Sequence, residues 1–518
     1  MVRKGLLARA WRILILCVVL LIGCTYLVSQ GPFSAHADVT TVPNTVFLDT
    51  APATFTITTA GVIGTISYTV ADLSNTTITN GQSMVIGGQV RLTLPSEPDG
   101  YYTLKVIDHT TQSAATQAIP FAIVSPFVQQ ADSPFGVGTH FAAGYDSAIT
   151  PLVATLGVGT VRNDVAWNMV EQSPGQYAFG AYDAYMRVLQ QQNISPFLIL
   201  DYNNNFYDQG QTPFDAAGFT AFANYAKAVV AHYGPQLKSV EVYNEYNGTF
   251  STGPCARNAA CYVQLLRYTY QAVKSVRPDV TVVGGAALFA DLSWFTQIFQ
   301  DGGLQYMDAV SDHPYTALNV LSPELEGLGS LMTSLEDLIK SYNNGNAKPI
   351  WISELGWPTS IIRVDERTQA DYLVRGAVLS MAAGVQKFFW YDFLNDGTSS
   401  LNDEHNFGLL HTPDAVGRYT PKPSYVAYAV LARKLASQSF VSSESIGNGL
   451  YDMLFTNQIR VLWSAIGNRT ITVNTSNPVT ATTMTGKTQT YVPSHGKVRL
   501  RLSGDPLYLQ GTSITSFK

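Results

Sequence analysis

Two stretches of this chain place a glutamate where it could do chemistry. The apolar run Ser239-Val240-Glu241-Val242-Tyr243 passes into Asn244-Glu245-Tyr246-Asn247. The run Pro349-Ile350-Trp351-Ile352-Ser353 passes into Glu354-Leu355-Gly356-Trp357-Pro358. Each ends a strand-like segment in a carboxylate, beside an aromatic residue and with no Lys or Arg nearby in sequence. Either glutamate alone reads equally well as an ordinary surface residue. As a pair they can divide labour: one carboxylic acid protonates a leaving oxygen, and a carboxylate on the opposite face attacks carbon. Glycosidic-bond cleavage with retention asks for two such groups about 5–5.5 Å apart.

The elements that must hold them follow from the texture between residues 135 and 436. Eight apolar segments read as strands: Phe135 to Phe141, Val158 to Ala166, Pro196 to Asp201, Ser239 to Asn244, Val280 to Ala287, Ala309 to Tyr315, Pro349 to Glu354 and Lys387 to Phe393. Helix-like stretches separate them, such as Ala216 to His232 and Tyr262 to Val276. Eight βα units over roughly 250 residues predict a (β/α)8 TIM barrel. A doubly wound sheet is the alternative, but Gly136-Val137-Gly138 lacks the third glycine and the following helix of a phosphate loop. Glu245 and Glu354 then end strands 4 and 7. Those strands lie across the barrel mouth, where catalytic groups of such barrels sit.

These motifs resemble those of the clan A glycoside hydrolases, most closely family 39 and then family 5. In that clan an Asn-Glu after strand 4 supplies the acid/base and a Glu after strand 7 the nucleophile. The likeness extends to Arg162 at the end of strand 2, to Trp167, Glu171, Pro174-Gly175, Tyr177 and Phe179, to Asp312-His313-Pro314-Tyr315 and to Phe389-Trp390-Tyr391. One departure is Tyr246, where the clan commonly has proline. The resemblance implies a retaining hydrolase of β-linked glycans with Glu245 as acid/base and Glu354 as nucleophile. Glu245 must carry a proton at the start and act as base once the glycosyl-enzyme has formed. Arg162 and Tyr315 are expected to bond Glu354, and Asn244 to bind a sugar 2-hydroxyl. His313 is expected to orient a carboxylate or hydroxyl. Trp390 is a candidate platform under the sugar or else a core residue. His140 and Trp357 are further candidates for substrate contact. Glu241 is expected to be a buried structural carboxylate, and Glu171 to brace a helix. Asp201, Asp392 and Asp396 are read as strand-end acids outside the catalytic pair. No metal or organic cofactor is implied.

Smaller units flank the barrel. Residues 38–125 alternate with period two, as in Val90-Arg91-Leu92-Thr93-Leu94, and predict an immunoglobulin-like β-sandwich. Residues 126–134 read as a linker, and residues 437–518 as a small C-terminal β-sandwich. At the N-terminus, Arg3, Lys4, Arg9 and Arg12 precede an uncharged run from Ile13 to Val28, then Ser34-Ala35-His36-Ala37. That order describes a secretory signal cleaved after Ala37. A retained membrane tether through residues 13–28 is an alternative, as is lipidation at Cys24 in Leu21-Ile22-Gly23-Cys24. Every version exports the rest of the chain. Cys255 and Cys261 are the only cysteines outside this leader. Six positions apart in an exported chain, they are read as a local disulfide, with two free thiols as the alternative.

Composition bounds the partners. Of 518 residues, 46% are hydrophobic and 13% charged, with a formal charge of −6. This excludes a basic nucleic-acid binder and argues against wholesale disorder. It suits a neutral or cationic oligo- or polysaccharide better than an anionic one. A monomer is expected. Two other functions stay open: a cell-surface carbohydrate-binding or adhesion protein without turnover, and a transglycosylase.

Overall fold

The computed structural model describes residues 34–37, 45–128, 130, 132–316, 320–414 and 417–518. Apart from Ser34–Ala37, the leader expected over residues 1–37 lies outside the described residues.

Eight parallel strands close a barrel. They are β1 (Phe135–Gly138), β2 (Thr160–Ala166), β3 (Ser195–Asp201), β4 (Ser239–Val242), β5 (Thr281–Leu288), β6 (Ala309–His313), β7 (Ile350–Leu355) and β8 (Lys387–Trp390). Each is followed by a helix: α1 (Thr150–Leu156), α2 (Gly180–Gln191), α3 (Ala216–Tyr233), α4 (Ala259–Val276), α5 (Leu292–Gln300), α6 (Leu328–Tyr342), α7 (Glu366–Ala382) and α8 (Pro423–Leu435). All eight expected strands are present. Their apolar runs lack strict alternation because helices cover one face and the barrel interior the other. Side-chain caps start several helices. Asp215 accepts from the Gly218 N–H at 2.8 Å, Asn258 from Cys261 at 3.0 Å and Asp365 from Thr368 at 2.7 Å.

Four expected strands stop short of the mouth, β6 among them at His313 rather than Tyr315. β1 ends at Gly138, because the Asn163 side chain takes the Phe141 N–H at 3.0 Å. β4 ends at Val242, because Tyr243 turns into the left-handed region at φ 67°. β8 ends at Trp390. At this rim, loop geometry and side chains replace the strand ladder.

The barrel floor is apolar. Phe197, Val283, Ala309, Trp351 and Phe389 form a closed cluster. The Phe197 ring meets Trp351 edge-on at 5.0 Å and Phe389 at 5.2 Å. Lys387 covers the outer side of Trp351, its Nζ 5.4 Å from the ring. Gly136 on β1 leaves room for this plug, since a Cβ there would lie 2.3 Å from the Phe389 ring.

Further sheets flank the barrel. The strands of residues 34–37 and 46–124 form one eight-stranded sheet with its own core around Phe55, Ile66, Leu104 and Phe121. Residues 440–517 form a six-stranded and a three-stranded sheet, with Leu462, Val473, Val479 and Leu500 in their core. Both flanks pack on the barrel. Val46 and Val124 on one side, and Phe455 and Trp463 on the other, belong to the barrel's own hydrophobic cluster. Polar ties add to this. Arg433 donates to the Ser125 carbonyl at 2.9 Å, and Trp463 Nε1 to Glu324 at 2.7 Å.

The floor gives a direct test. Gly136→Ala is expected to destabilise the protein by about 1–3 kcal/mol through overpacking. Thermal unfolding of the variant, with Phe389→Leu added as a compensating change, should show a lowered Tm that is partly restored.

Candidate active site

Above the floor the interior turns polar. Arg162 on β2 points inward, level with Phe197 in the β2–β3 register. It is 4% exposed. Its Nε donates to Glu241 Oε2 at 2.8 Å, and its Nη1 to Glu354 Oε2 at 2.9 Å. Its Nη2 donates to Asn244 Oδ1 and lies on Glu241 Oε2, both at 2.7 Å. One guanidinium therefore ties β2 to β4 and to the end of β7. Glu241, fully buried, is its lower partner.

Two irregularities lift the glutamates to the mouth. After β4 the chain takes φ of 67° at Tyr243 and 45° at Glu245, unusual for residues other than glycine. The Glu245 N–H then bonds the Ala286 carbonyl at 2.9 Å. On β7, the pairing with β8 shifts between Ile352 and Leu355, a bulge of one residue. A bulge re-aims side chains. Here both Ser353 and Glu354 reach the interior, Ser353 to bond His313 and Glu354 to line the cleft.

His313, at the end of β6, joins the two. Its Nδ1 is 3.0 Å from Glu245 Oε1 and 3.8 Å from Glu354 Oε2. Its Nε2 is 3.0 Å from Ser353 Oγ. Burial lowers its pKa, but the Glu354 charge and the bond to Glu245 outweigh that, so the net shift is upward. Tyr315 donates to Glu354 Oε1 at 2.9 Å. Burial, then the Glu354 charge, holds its hydroxyl far above the usual tyrosine range. One ligating atom each of Glu245, His313 and Glu354 lies within 4.8 Å of the others. A cation placed among them would face the Arg162 guanidinium, already seated on Glu354.

The pair opens into a cleft of about 450 Å³. Arg162, Asn244, Tyr315 and His140 border it, as the sequence suggests. His313 lies beneath it, wholly buried. Trp390 and Trp357 do not reach it. Both are fully buried and stack on each other at 6.1 Å, so neither is a sugar platform. The aromatic lining is instead Tyr202, Phe250, Phe289, Tyr391 and Phe407. Tyr391 was legible: it shares strand parity with Phe389, which faces inward, whereas Trp390 faces the helices. The others come from loops, which carry no periodic signal. Phe250 projects from the loop held by the Cys255–Cys261 disulfide. Glu404 borders the cleft too, accepting from the Tyr391 hydroxyl at 3.0 Å.

Acids crowd one side. His140 Nδ1 is 3.0 Å from Asp396 and 4.0 Å from Asp392. Burial would lower the His140 pKa. The Asp396 bond and the charges of both acids push it up to about 9. Burial pushes Asp392 up to about 8, against the pull of the His140 charge. Tyr145 donates to Asp392 at 2.6 Å. This cluster also offers three ligating atoms within 4.8 Å, but its own ion pair already satisfies them. Asp201 is fully buried, and burial with the neighbouring Asp164 raises its pKa strongly.

No family model and no curated protein matches the sequence. Solved structures do. A family 39 glycoside hydrolase from Bacteroides cellulosilyticus WH2 superposes with a TM-score of 0.77 at 22% identity, covering 91% of this chain and 99% of that one. The chain has the fold of a family 39 glycoside hydrolase. That match takes in the flanking sheets as well as the barrel. A monomeric beta-xylosidase from Caulobacter crescentus CB15 gives 0.54 at 15% identity, over 74% and 97% of the two chains. A GH39 enzyme from Xanthomonas axonopodis pv. citri gives 0.51 at 14%, over 73% and 93%.

The His140 ion pair sets a pH dependence. A folded-state pKa of about 9, above the unfolded value, gives stabilisation that is complete below about pH 6.5 and lost as pH rises through 9. The stability gap between wild type and His140→Gln should therefore be widest near pH 6 and close by pH 10. The His140 ring resonance should titrate near 9, and Asp396→Asn should move it down by roughly a unit or more.

Proposed function

We propose that this protein is a retaining glycoside hydrolase acting on a β-linked glycan. Glu245 is the acid/base and Glu354 the nucleophile. The observation that carries the reading is the approach of the two carboxylates to within 4.8 Å. Inverting enzymes hold theirs about 6.5–9.5 Å apart to admit a water. The likeness of the whole chain to a family 39 hydrolase supports the same assignment.

In the first step a Glu354 oxygen attacks the anomeric carbon as Glu245 passes its proton to the departing glycosidic oxygen. Arg162 and Tyr315 keep the attacking carboxylate aimed and balance its charge. In the second step Glu245 takes a proton from water, the water oxygen bonds the anomeric carbon, and Glu354 leaves as carboxylate. His313 positions Glu245 throughout, from the side away from substrate. Asn244, held by Arg162, is placed for the sugar 2-hydroxyl. Tyr391 and Tyr202 replace Trp390 as sugar-facing rings. The Cys255–Cys261 bridge supports an exported location. We read the flanking sheets as immunoglobulin-like and small β-sandwich accessory units.

Sugar release from β-glucans, xylans, galactans, mannans and cell-wall exopolysaccharides tests the reading. Glu354→Ala should lose on the order of 10⁴-fold or more in turnover. Glu245→Ala should lose about 10²–10⁴-fold, and less on aryl glycosides whose leaving group needs no proton. Azide should restore Glu354→Ala with an inverted glycosyl azide and Glu245→Ala with a retained one. Glycan binding without turnover by the wild type would instead mark a binding protein.

A further inference from the structure

The N-terminal sheet ends in an apolar tip. Ile63 and Ile86 pair at the open end of one hairpin, whose own turn lies at residues 73–76, and Met84 lies two residues along from Ile86, opposite Thr65. These side chains and Val62 are open to solvent: Val62 67%, Ile63 72%, Met84 69% and Ile86 74%. Val85, between two of them, points the other way into the sheet's core. The pattern is therefore a true outer face rather than a frayed strand. Gly87 and Gly88, with φ of 70° and 77°, make the tight two-residue turn of the adjoining hairpin, where Ile86 lies opposite Gln89, and this turn is the tip. Residues 60–65 and 84–89 contain no charged side chain. A contiguous apolar surface of this kind marks an interaction site.

The path of the chain says what covers it. Ser34–Ala37 pairs antiparallel with Phe55–Thr58 as the edge strand of this sheet, with Ser34 opposite Thr58. Cleavage after Ala37 would remove that strand. Thr58 lies opposite Gln89, the residue that follows the Gly87-Gly88 turn. Ser34 and the tip thus share one end of the sheet. Four strand spacings separate Ser34 from Ile63, about 19 Å at 4.8 Å each. Only five residues lie between Ser34 and Val28, the end of the 16-residue uncharged run that starts at Ile13. Five residues reach no more than about 20 Å. Lysine and arginine at positions 3, 4, 9 and 12 precede that run, the order that leaves the following chain outside.

We propose that the hairpin tip rests in the outer surface of the lipid bilayer, beside the membrane tether formed by residues 13–28. The proposal goes beyond the glycosidase reading and depends on the apolar run staying with the mature chain. Val62, Ile63, Met84 and Ile86 enter the headgroup–acyl boundary, where uncharged apolar side chains are favoured. Two attachments, the tether and the tip, fix the sheet against the surface. The barrel is then held at a set height and orientation over the membrane, so that it acts on glycan close to the cell.

Spin labels test this. The full chain with Cys17→Ser and Cys24→Ser keeps residues 13–28 uncharged and leaves only the disulfide cysteines. Nitroxides are placed one at a time at Ile63→Cys, Ile86→Cys and, as a control, the exposed Lys497→Cys on the C-terminal sheets. The protein is reconstituted into phosphatidylcholine vesicles. Labels at 63 and 86 should be about fivefold less accessible to an aqueous nickel relaxant than the label at 497, and more accessible to oxygen. Equal nickel accessibility at all three sites would overturn the proposal. So would spin–spin broadening at 63 and 86, which would show that a second copy covers the tip. Intact mass of the native membrane-bound chain checks the premise: loss of residues 1–37 removes it and leaves the glycosidase reading untouched.

Discussion

A guanidinium taken out of water has to be met by charge, and the centre of this barrel is arranged to meet it. Arg162 is buried on β2 with two carboxylates and an amide around it. Burial works against its charge, but Glu241 and then Glu354 more than compensate, so it stays cationic. Removing one partner of such a group leaves an uncompensated buried charge, which costs about 3–5 kcal/mol. Replacing all of them by apolar residues can be neutral. The network is thus better understood as a positioning device than as a source of stability. It constrains strands 2, 4 and 7 jointly, and those strands carry Asn244, Glu245 and Glu354.

The layering of the interior follows from that constraint. The aromatic plug of Phe197, Trp351 and Phe389 closes the barrel from below and keeps water from the guanidinium's lower side. Rigid packing beneath lets irregular backbone stand above. The positive φ at Tyr243 and Glu245 and the bulge on β7 persist because surrounding contacts over-determine them. They lie towards the rim, Tyr243 and Glu245 just past the end of β4 and the bulge in the last residues of β7.

How much of this was legible depends on which physical rule governs each residue. All eight strands could be read, because burial on both faces leaves long apolar runs between helical stretches. Glu245 and Glu354 could be placed across the mouth, because they end the fourth and seventh of eight apolar runs, three βα units apart. Trp390, read as a sugar platform or else a core residue, is the core residue, as strand parity requires. Phe389 faces the interior, so Tyr391 must share that side and Trp390 must face the helices. The bulge that brings both Ser353 and Glu354 inward has no sequence signature at all. Tyr202, Phe250, Phe289, Phe407 and Glu404 stand on loops that the fold brings together from distant parts of the chain. The unsolvated surroundings of Asp201 and Asp392, which set their protonation, likewise depend on tertiary packing.

The two glutamates are chemically identical, so their roles in the proposed mechanism must come from their neighbours. Glu354 receives a charged donor at one oxygen and a hydroxyl at the other, both 2.9 Å away. Such a carboxylate is fixed in direction, which suits an in-line attack on carbon. Among the described residues, Glu245 is bonded by one side chain, the His313 Nδ1 at 3.0 Å, and by no guanidinium. An imidazole can hold the shared proton or return it, so a carboxyl bonded to it can change protonation state within one catalytic cycle. His313 is itself steadied by Ser353, the residue before the proposed nucleophile. When the charge on Glu354 is consumed by bond formation, one of the groups that holds the His313 pKa up disappears. In the proposed mechanism the covalent step would thus reach the dyad through space.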